Sequence, residues 1–573
     1  MRYGYLLTGI LSGIVMVGYG QEAQQRRDDR PATIDSIDVV RDYRPILADA
    51  VKIRRSPDMS NKRQYQPKLT YNILDRKLDI NTGTKRLTIQ EMPFTRTQSL
   101  TNNYVKIGAG NLGTLLGEVY LSSDYWVDTR LGGYVKHLNQ QGTLEEQKFS
   151  SQQIGVFGRT VLGPVTLDGE AGFNRYGTRF YGVVGDVDGT SLNLSPAKQA
   201  FNDIYFTGEL TSNVDEQASD ALSYSLKADA YGYSNAYETR ESSVALAGYV
   251  NKQINVFNVG ANISGDFTSV KDASYSLANH IARANPYIRF QGPNYNITLG
   301  ANFVAEFGDS SRTNIFPSAA IDFALIPQFA HLFGGIDGDV NKTAVRELTK
   351  ENPWLAALGG SNYIRNSVDR MHVYGGIKGN AGATFGYKVK AFYRRIESMP
   401  FYAIAPGTPY AFNLIYEDGE NASTIIGLEG EVNVRVSEVV TLGGKLNFNE
   451  FDLQQQEEAW YTPKMRLAAN ARFNISDKLY VDGEILIQGQ TYGLVQDTNV
   501  DLSEYAITEL GNSGARKTTI PSFADLSAGA EYRATDRIGI YVRLNNMLGA
   551  NYERYLFYPR LGLNVIGGVN FSF

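Results

Sequence analysis

Charged residues alternate with apolar residues along several segments in the last third of the chain. Glu429 and Glu431 lie two residues apart, and two such carboxylates could act as a general acid and base. The same spacing puts both on one face of a β-strand, opposite Leu428 and Val432. We favour this second interpretation, a charged face bordering a polar interior, because the pattern recurs in neighbouring segments. The residues expected on that face are Glu429, Glu431, Arg435, Lys445, Arg466, Arg472, Asp482, Glu484, Asp525, Glu531, Arg533 and Arg543.

Three loop-like motifs resemble ligand-binding sequences. Residues 108–113 match the glycine spacing of a dinucleotide-binding loop, but Leu115 to Leu121 continues as a strand, so we predict a tight hairpin. Residues 337–341 and 497–501 resemble the start of a calcium loop. Neither has the glycine at the sixth position and the glutamate at the twelfth that such a loop uses. We therefore expect solvated loop acids at both places.

Other reactive residue types are few or absent. The chain has no cysteine, which excludes disulfides, thiolate chemistry and cysteine-based metal sites. Its four histidines, His137, His280, His331 and His372, form no pair at the spacing of a metal-binding helix. No Gly-x-Ser-x-Gly sequence marks a nucleophile. We predict a protein that is not an enzyme, with no catalytic residue, no cofactor and no metal ion.

The N-terminus has the organisation of a secretory signal. Arg2 provides a positive charge, Tyr5 to Val17 is apolar, and Gly18-Tyr19-Gly20 offers small residues for cleavage before Gln21. A buried or anchoring helix is the alternative, but the charged sequence from Gln21 to Arg30 disfavours it. We predict a signal peptide at residues 1–20.

Charge is unevenly distributed along the mature chain. Residues 21–100 contain 16 Lys and Arg against 11 Asp and Glu, whereas the whole chain has a net charge of −5. A basic segment therefore precedes an acidic body. Residues 21–100 lack the regular alternation that follows, and we expect a small periplasmic domain or a segment inserted in the lumen. No basic patch interleaved with aromatics indicates nucleic acid as a partner.

Residues 101–573 contain 22 segments with strand-like alternation. The segments are joined by short and long connections in turn. The short ones include 163–164, 292–294, 437–439, 476–478 and 535–537. The long ones fall near 176–202, 339–366, 398–421, 450–463 and 490–520. All five short connections occupy even positions and all five long ones odd positions, as in barrels with short periplasmic turns and long outer loops.

The final segment indicates which kind of barrel this is. Leu563, Val565, Gly567, Val569, Phe571 and Phe573 share a face in a strand of about ten residues that ends on an aromatic. No apolar run after residue 20 is long enough for a membrane-spanning helix. We predict an all-β fold, a transmembrane antiparallel barrel of about 22 strands in the outer membrane, with both termini in the periplasm. The expected partners are outer-membrane lipid, the barrel-assembly machinery and, through residues 21–100, a periplasmic protein.

The C-terminal sequence resembles that of TonB-dependent receptors. The resemblance rests on Asn545-Asn546-Met547-Leu548, Tyr552, Tyr558-Pro559-Arg560 and the terminal Phe573. A second similarity is Leu348 followed by Asn352-Pro353-Trp354-Leu355, which resembles a loop of the same family. The resemblance implies a 22-stranded receptor barrel that takes up a solute.

The sequence departs from that family before the barrel. Family members carry a plug domain of well over a hundred residues, preceded by a TonB box. Here only residues 21–100 are available, and Thr33 to Val40 is the one box-like stretch. Two functions therefore remain open: passage or uptake of a solute through a barrel with a reduced plug, and a plug-less structural subunit of an outer-membrane complex.

Overall fold

A computed structural model describes residues 103–123, 128–182, 198–213, 222–254, 257–327, 329–381, 384–404, 411–496, 500–510 and 514–573. The signal peptide predicted at 1–20, the segment 21–100 and the box-like Thr33 to Val40 lie outside these residues. The described parts contain one helix, α1, which is Val345–Glu351. Within the described residues, no helix is long and apolar enough to cross a membrane.

The strands, in chain order, are β1 (Tyr104–Gly110), β2 (Leu115–Ser123), β3 (Thr129–Gln141), β4 (Lys148–Leu162), β5 (Val165–Arg179), β6 (Lys198–Ser212), β7 (Leu222–Ser234), β8 (Arg240–Ile254), β9 (Phe257–Lys271), β10 (Ser276–Gln291), β11 (Tyr295–Gly308), β12 (Arg312–Ile326), β13 (Ala330–Asn341), β14 (Ser367–Ala381), β15 (Phe385–Glu397), β16 (Met399–Ile404), β17 (Phe412–Glu417), β18 (Ser423–Arg435), β19 (Val440–Asp452), β20 (Met465–Asn474), β21 (Leu479–Gln488), β22 (Thr491–Val495), β23 (Ile507–Leu510), β24 (Ala515–Ile520), β25 (Phe523–Arg533), β26 (Ile538–Asn545) and β27 (Asn564–Ser572).

Twenty-two of these strands form one antiparallel sheet that closes on itself. The closing pair is β1 with β27, in a register that runs from Tyr104 opposite Ser572 to Gly110 opposite Ile566. Closure satisfies the backbone groups of both edge strands, which a bilayer could not do. The predicted all-β barrel and its 22 strands are confirmed.

The alternation along the strands separates two faces. One carries exposed apolar side chains, among them Ile204, Ile263 and Ile315, each more than 60% exposed. Val569 and Phe571 of β27 lie on this face, as the sequence predicts. A belt of exposed apolar side chains on a closed barrel is the surface that contacts lipid.

The predicted alternation of connections is also confirmed. Gly163-Pro164 joins β4 to β5, and the other four short turns likewise occupy even positions, at one end of the barrel. The long connections lie at the opposite end, which we call the mouth. The hairpin predicted at residues 108–113 joins β1 to β2, where Leu112 and Gly113 have φ values of 52° and 56°.

The walls near the mouth differ from the expected strands of about ten residues. Strands β4 to β6 have 15 residues each, because polar residues continue the pairing beyond the apolar belt. Strands β26 and β27 have only 8 and 9 residues. The alternating sequence pattern marks only the part of each strand that crosses the apolar belt. Backbone pairing beyond the belt does not require an apolar outer face, so the pattern does not show where each strand ends.

A second sheet, absent from the sequence prediction, lies in two of the long connections. Its strand order is β17-β16-β22-β24-β23. The hairpin β16–β17 follows β15, and β22 to β24 separate β21 from β25. We call this sheet the cap, β16–β17 its first leaf and β22–β24 its second leaf.

Candidate functional site

The helix α1 defines which face of the barrel is the inner one. It follows β13, yet Arg346 Nη2 lies 2.6 Å from Asp203 Oδ2 on β6. Around the closed sheet, β13 is separated from β8 by four strands and from β6 by six. A segment that follows β13 and contacts β6 and β8 must therefore cross the inside of the barrel. Asp203 on β6 and Glu241 on β8, which also contacts α1, therefore face the interior.

The N-terminus of α1 is capped by the barrel wall. Ala344 at the N-cap position makes no side-chain cap. Instead, Val345 N donates to Glu241 Oε2 at 2.7 Å and Arg346 N donates to Glu241 Oε1 at 3.3 Å. Tyr231 also donates its hydroxyl to this buried carboxylate, at 2.7 Å. The wall supplies the acceptor that the free N–H groups of a helix end require.

Replacing Glu241 is expected to release α1. Glu241→Ala leaves two backbone N–H groups and one hydroxyl without an acceptor, at a cost of about 3 kcal/mol or more in local stability. Glu241→Gln keeps one acceptor oxygen and should lose about half as much. Amide hydrogen exchange of residues 345–349 measures the effect. Ser242→Ala, on the opposite face of β8, is the matched control, and equal loss in that variant would contradict the capping role.

A buried ion pair holds the residues before α1. Lys342 Nζ lies 2.6 Å from Asp266 Oδ1 on β9, with side-chain exposures of 7% and 5%. Lys342 also donates to Ser243 at 3.3 Å and to Thr268. Breaking such a pair strands a charge in the interior, which costs about 3–5 kcal/mol. The connection from β13 to β14 is thereby fixed to the inner wall.

The two sequence motifs that resemble TonB-dependent receptors meet at the mouth. Trp354 stacks on Tyr558 with ring centroids 3.8 Å apart and planes 16° from parallel. Gln147 Nε2 and the Tyr181 hydroxyl both donate to Pro559 O, at 2.9 and 3.0 Å. Connections that are remote in sequence thus converge on a single point above the barrel interior.

This contact belongs to a larger apolar core that fills the mouth. Its buried aromatic members are Phe180, Tyr181, Phe201, Tyr233, Trp354, Phe401, Tyr402, Phe412, Tyr416, Trp460, Tyr461, Tyr555 and Tyr558. They come from the first leaf of the cap, from β6 and β7, from the residues after α1, and from the connections that follow β5, β19 and β26. The second leaf adds the buried apolar side chains of Leu494, Val495 and Ile520. The mouth therefore contains a packed apolar core whose side chains are as protected from water as those of a domain interior.

The two leaves of the cap are joined by a narrow seam. Among the described residues, which stop at 404 and 496 on either side of the seam, β16 and β22 pair in parallel through one residue pair, Ile404 with Val495, both 0% exposed. Gln496 N adds one hydrogen bond to Ile404 O, at 2.8 Å. Within the leaves pairing is longer, with six residue pairs between β16 and β17 and five between β22 and β24. Within the described part of the cap, the seam has the least backbone pairing.

A half-buried carboxylate links the second leaf to the connection between β26 and β27. Both oxygens of Glu553 accept from the Tyr505 hydroxyl at 3.1 Å, and Phe557 N donates to Oε2 at 3.1 Å. Burial raises the pKa of Glu553 from its ordinary value of 4.5 to about 7. Loss of solvation disfavours the charged form, and these hydrogen bonds offset it only in part.

Acidification is therefore expected to tighten this part of the mouth. A carboxyl group with a raised folded pKa stabilises the folded form fully below about pH 4.5, and that contribution is lost as the pH rises towards 7. Hydrogen exchange of residues 500–510 and 550–560, corrected for intrinsic rates, should show greater protection at pH 5 than at pH 8. Glu553→Gln should remove the difference, and Glu509→Gln, at an exposed residue of β23, should keep it. An unchanged difference in Glu553→Gln would refute the assignment.

The twelve charged residues predicted from the sequence share one face of the sheet. Residues directly opposite each other on paired strands point to the same side of the sheet. Successive pairs lead from Asp203, which faces the interior, through Glu118, Lys106 and Asn570 to the strands that contain the twelve residues. Arg543 faces Gly529, Asp482 faces Arg472, and Glu431 faces Lys445. All twelve thus lie on the same face as the residues that contact α1; their role in lining a passage stays a prediction.

Most of the twelve have identified partners. Glu429 pairs with Lys390 at 2.8 Å and Glu431 with Lys445 at 2.9 Å. Glu484 lies 3.9 Å from Arg543, Glu531 accepts from Asn570 at 3.0 Å, and Asp525 accepts from the Tyr552 hydroxyl at 2.5 Å. Arg466 donates to Gln488 at 3.2 Å, and Arg472 and Arg533 lie over the Tyr480 ring. Asp482 is opposite Arg472 and Arg435 is opposite Thr441.

The expectation of solvated loop acids at residues 337–341 is wrong, because these residues lie in β13 and their acids make contacts along the wall. Asp337 lies 2.9 Å from His372, and Asp339 lies 2.9 Å from Arg283. His331 lies 2.7 Å from Asp322. Among the described residues no group of three or more acids and histidines could hold a metal ion. Residues 497–499 of the second calcium-like stretch lie outside the described residues.

Sequence reasoning missed the cap. A signal for it was present, since residues 399–416 contain Phe401, Tyr402, Phe412 and Tyr416, a density of aromatics that a solvated loop does not need. It was not found because the sequence shows neither that the two connections meet nor which of their residues pair.

Comparisons with known proteins agree on the architecture. No protein-family model matches the chain, and no curated protein matches its sequence. Among solved structures, Pseudomonas aeruginosa FpvA bound to heterologous pyoverdines is similar, with 13% identity over 82% of this chain and 72% of that chain and a TM-score of 0.61. The FrpB iron transporter from Neisseria meningitidis has 9% identity over 83% of both chains and a TM-score of 0.62. The siderophore receptor PirA from Acinetobacter baumannii has 11% identity over 83% and 81% and a TM-score of 0.60.

These identities are too low to show more than a shared fold. The barrel is that of outer-membrane receptors, which confirms, at the level of the fold, the resemblance to TonB-dependent receptors inferred from residues 545–573. By name, the similar structures are receptors and a transporter.

Proposed function

We propose that this protein is an outer-membrane barrel of the TonB-dependent receptor type that takes up a solute across the outer membrane. The observation that carries the proposal is a closed 22-strand barrel whose mouth holds a packed apolar core and a folded cap, with the two leaves of the cap joined by one backbone pair among the described residues. A packed closure over a wide barrel suits a passage that opens on demand. The mouth then faces the outside, and the short turns and both termini face the periplasm.

The charged inner face is proposed as the lining of this passage. Ion pairs such as Glu429–Lys390 and Glu431–Lys445 are partly exposed, so they stay hydrated and can exchange partners as a polar solute passes. The residues proposed as lining are the twelve identified from the sequence. We assign none of them a catalytic role.

Residues 21–100 are proposed to act at the periplasmic end. Their excess of basic residues allows them to contact the carboxylates of the inner face, as a reduced plug, or to bind a periplasmic partner. Partners also include the surrounding lipid and, during insertion, the barrel-assembly machinery.

Conductance in planar bilayers tests the proposal. The full chain, a chain lacking 21–100, a chain with residues 399–417 replaced by a short Gly-Ser linker, and the combined variant are compared. If 21–100 block the barrel, only the combined variant conducts steadily. If they lie outside the lumen, loss of the first leaf is sufficient. A combined variant that inserts correctly and never conducts would refute a solute passage.

A further inference from the structure

A row of basic residues crosses the outer face of the barrel just above the apolar belt. Arg175 on β5 is opposite Asn202, which is opposite Ser234 on β7, and Ser234 is opposite Arg240. Arg240 on β8 is in turn opposite Lys271 on β9. Neighbouring strands lie about 4.8 Å apart, so Arg175 and Arg240 are separated by about 14 Å along this row.

These side chains point away from the barrel interior. Glu241 contacts α1 on the inner side, so the adjacent Arg240 lies on the opposite face. Arg240 shares that face with the exposed Val244 and Leu246, and Lys271 shares it with the exposed Phe267. Arg175 lies two residues above the exposed Phe173. The row therefore lies at the edge of the belt, on the mouth side, where lipid headgroups begin.

Like charges face each other directly in this region. Arg240 is opposite Lys271, and Arg179, four residues beyond Arg175 on β5 towards the mouth, is opposite Lys198. Like charges in directly opposed cross-strand positions destabilise a sheet. Arg179 is compensated by Glu146. Among the described residues Arg175, Lys198, Arg240 and Lys271 are exposed and have no acidic partner.

The nearby acids do not compensate the pair of Arg240 and Lys271. Asp272 accepts from Thr239 Oγ1 and Ala273 N, both at 2.6 Å. Glu238, in the turn before β8, forms no ion pair within the described part of the chain. Other cations near the mouth are matched, since Arg370 pairs with Glu397 at 2.8 Å and Lys464 with Glu450 at 2.6 Å. Arg240 and Lys271 are thus directly opposed like charges without such a match.

We infer that Arg175, Lys198, Arg240 and Lys271 form a docking surface for phosphate groups of lipid headgroups in the leaflet at the mouth. Guanidinium and ammonium groups are the side chains that bind phosphate, and a phosphate between Arg240 and Lys271 would turn a repulsion into two attractions. Basic clusters beside a membrane span recognise anionic lipids in the same way. The inference rests on the proposed function only in assigning this surface to the outer leaflet of the membrane.

The full chain in nanodiscs tests this surface. Discs of phosphatidylcholine alone are compared with discs that also contain diphosphoryl lipid A, and the amount of lipid A retained per protein is measured by mass spectrometry. Arg240→Gln/Lys271→Gln is expected to retain lipid A with an apparent affinity about tenfold lower than the unsubstituted chain. Inorganic phosphate added in excess should displace little lipid A, because the apolar belt holds the acyl chains.

The matched control is Arg370→Gln/Lys464→Gln, which removes two rim cations that have acidic partners. It should retain lipid A as the unsubstituted chain does. Equal retention in the Arg240/Lys271 variant, or equal loss in the control, would overturn the inference. Both leaflets of a nanodisc contain lipid A, so the result does not depend on the orientation of the protein or on solute passage. Labelling in whole cells of Ser361→Cys, in the connection from β13 to β14, tests orientation separately.

Discussion

Oxidised Ile404→Cys/Val495→Cys protein is expected to lose about 99% of the spontaneous openings of its mouth, and a reductant should restore them. In the part of the cap that the structure describes, these two residues form the backbone pair that joins its leaves. Adjacent strands place Cα atoms within the 4.4–6.8 Å that a disulfide spans, given a strand spacing of about 4.8 Å. The chain has no native cysteine, so no other pairing competes.

The size of the effect follows from the cross-link. A disulfide contributes about 3 kcal/mol by restricting the open state, which corresponds to a factor of roughly 100 in its population. Openings are counted as brief conductance events in planar bilayers, using the chain without residues 21–100 so that the cap is the remaining barrier. Reduced protein should open somewhat more often than the unsubstituted chain, because Ile404 and Val495 lose packing volume.

A disulfide inside one leaf separates locking of the seam from general stiffening. Ala403 and Asn413 are paired within the β16–β17 hairpin. Ala403→Cys/Asn413→Cys cross-links that hairpin and leaves the seam free, so oxidation should change the openings little. If the seam variant opens equally often when oxidised and when reduced, the leaves do not separate at Ile404 and Val495.

Trp354→Ala should unfold the closure of the mouth while the barrel wall stays intact. Trp354 is 5% exposed, stacks on Tyr558 and donates its Nε1 proton to Arg179 O at 3.1 Å. Removing a buried Trp side chain costs about 3–5 kcal/mol, because the cavity left behind does not fill. The lost protection should appear in hydrogen exchange of residues 345–364 and 550–560.

Wall strands provide the internal reference for this variant. Their pairing does not involve Trp354, so amides of β9 to β11 should keep their protection. Trp354→Phe retains an aromatic ring and loses the N–H donor, and should cost about 1–1.5 kcal/mol. Uniform loss of protection in wall and mouth would show that the mouth is not a separately unfolding unit.

The outer and inner faces could be predicted because a barrel wall imposes a local rule. Each residue of a strand points to lipid or to the interior, so the period of two that separates Leu428 from Glu429 is present in a few neighbouring residues. The order of short and long connections is equally local, since Gly163-Pro164 or residues 535–537 can form a turn without regard to the rest of the chain. Strand count, connection order and the shared face of the twelve charged residues followed from these local rules.

The upper wall strands were harder to delimit for a related reason. Above the apolar belt the outer face of β5 and β6 carries polar residues such as Arg175 and Asn202, whereas Phe201 on the inner face packs in the core of the mouth. The alternation that marks the belt is therefore reversed there. Their pairing is decided by the register of the strands below. A boundary between strand and loop that is set by a neighbour is not recorded in the sequence of either strand alone.

By itself the sequence determined a closed barrel with a charged face and a lipid-facing one, because each of those properties depends on residues within a few positions of one another. The tertiary structure alone decided that Trp354 stacks on Tyr558, that Glu241 caps α1 from across the interior and that Ile404 meets Val495. Each of these contacts joins segments about 90 to 200 residues apart in the chain. The residue types in a long connection indicate that its side chains must be buried or hydrogen-bonded, but they do not identify the partners. The closure of the barrel determines which segments lie close enough to pack together.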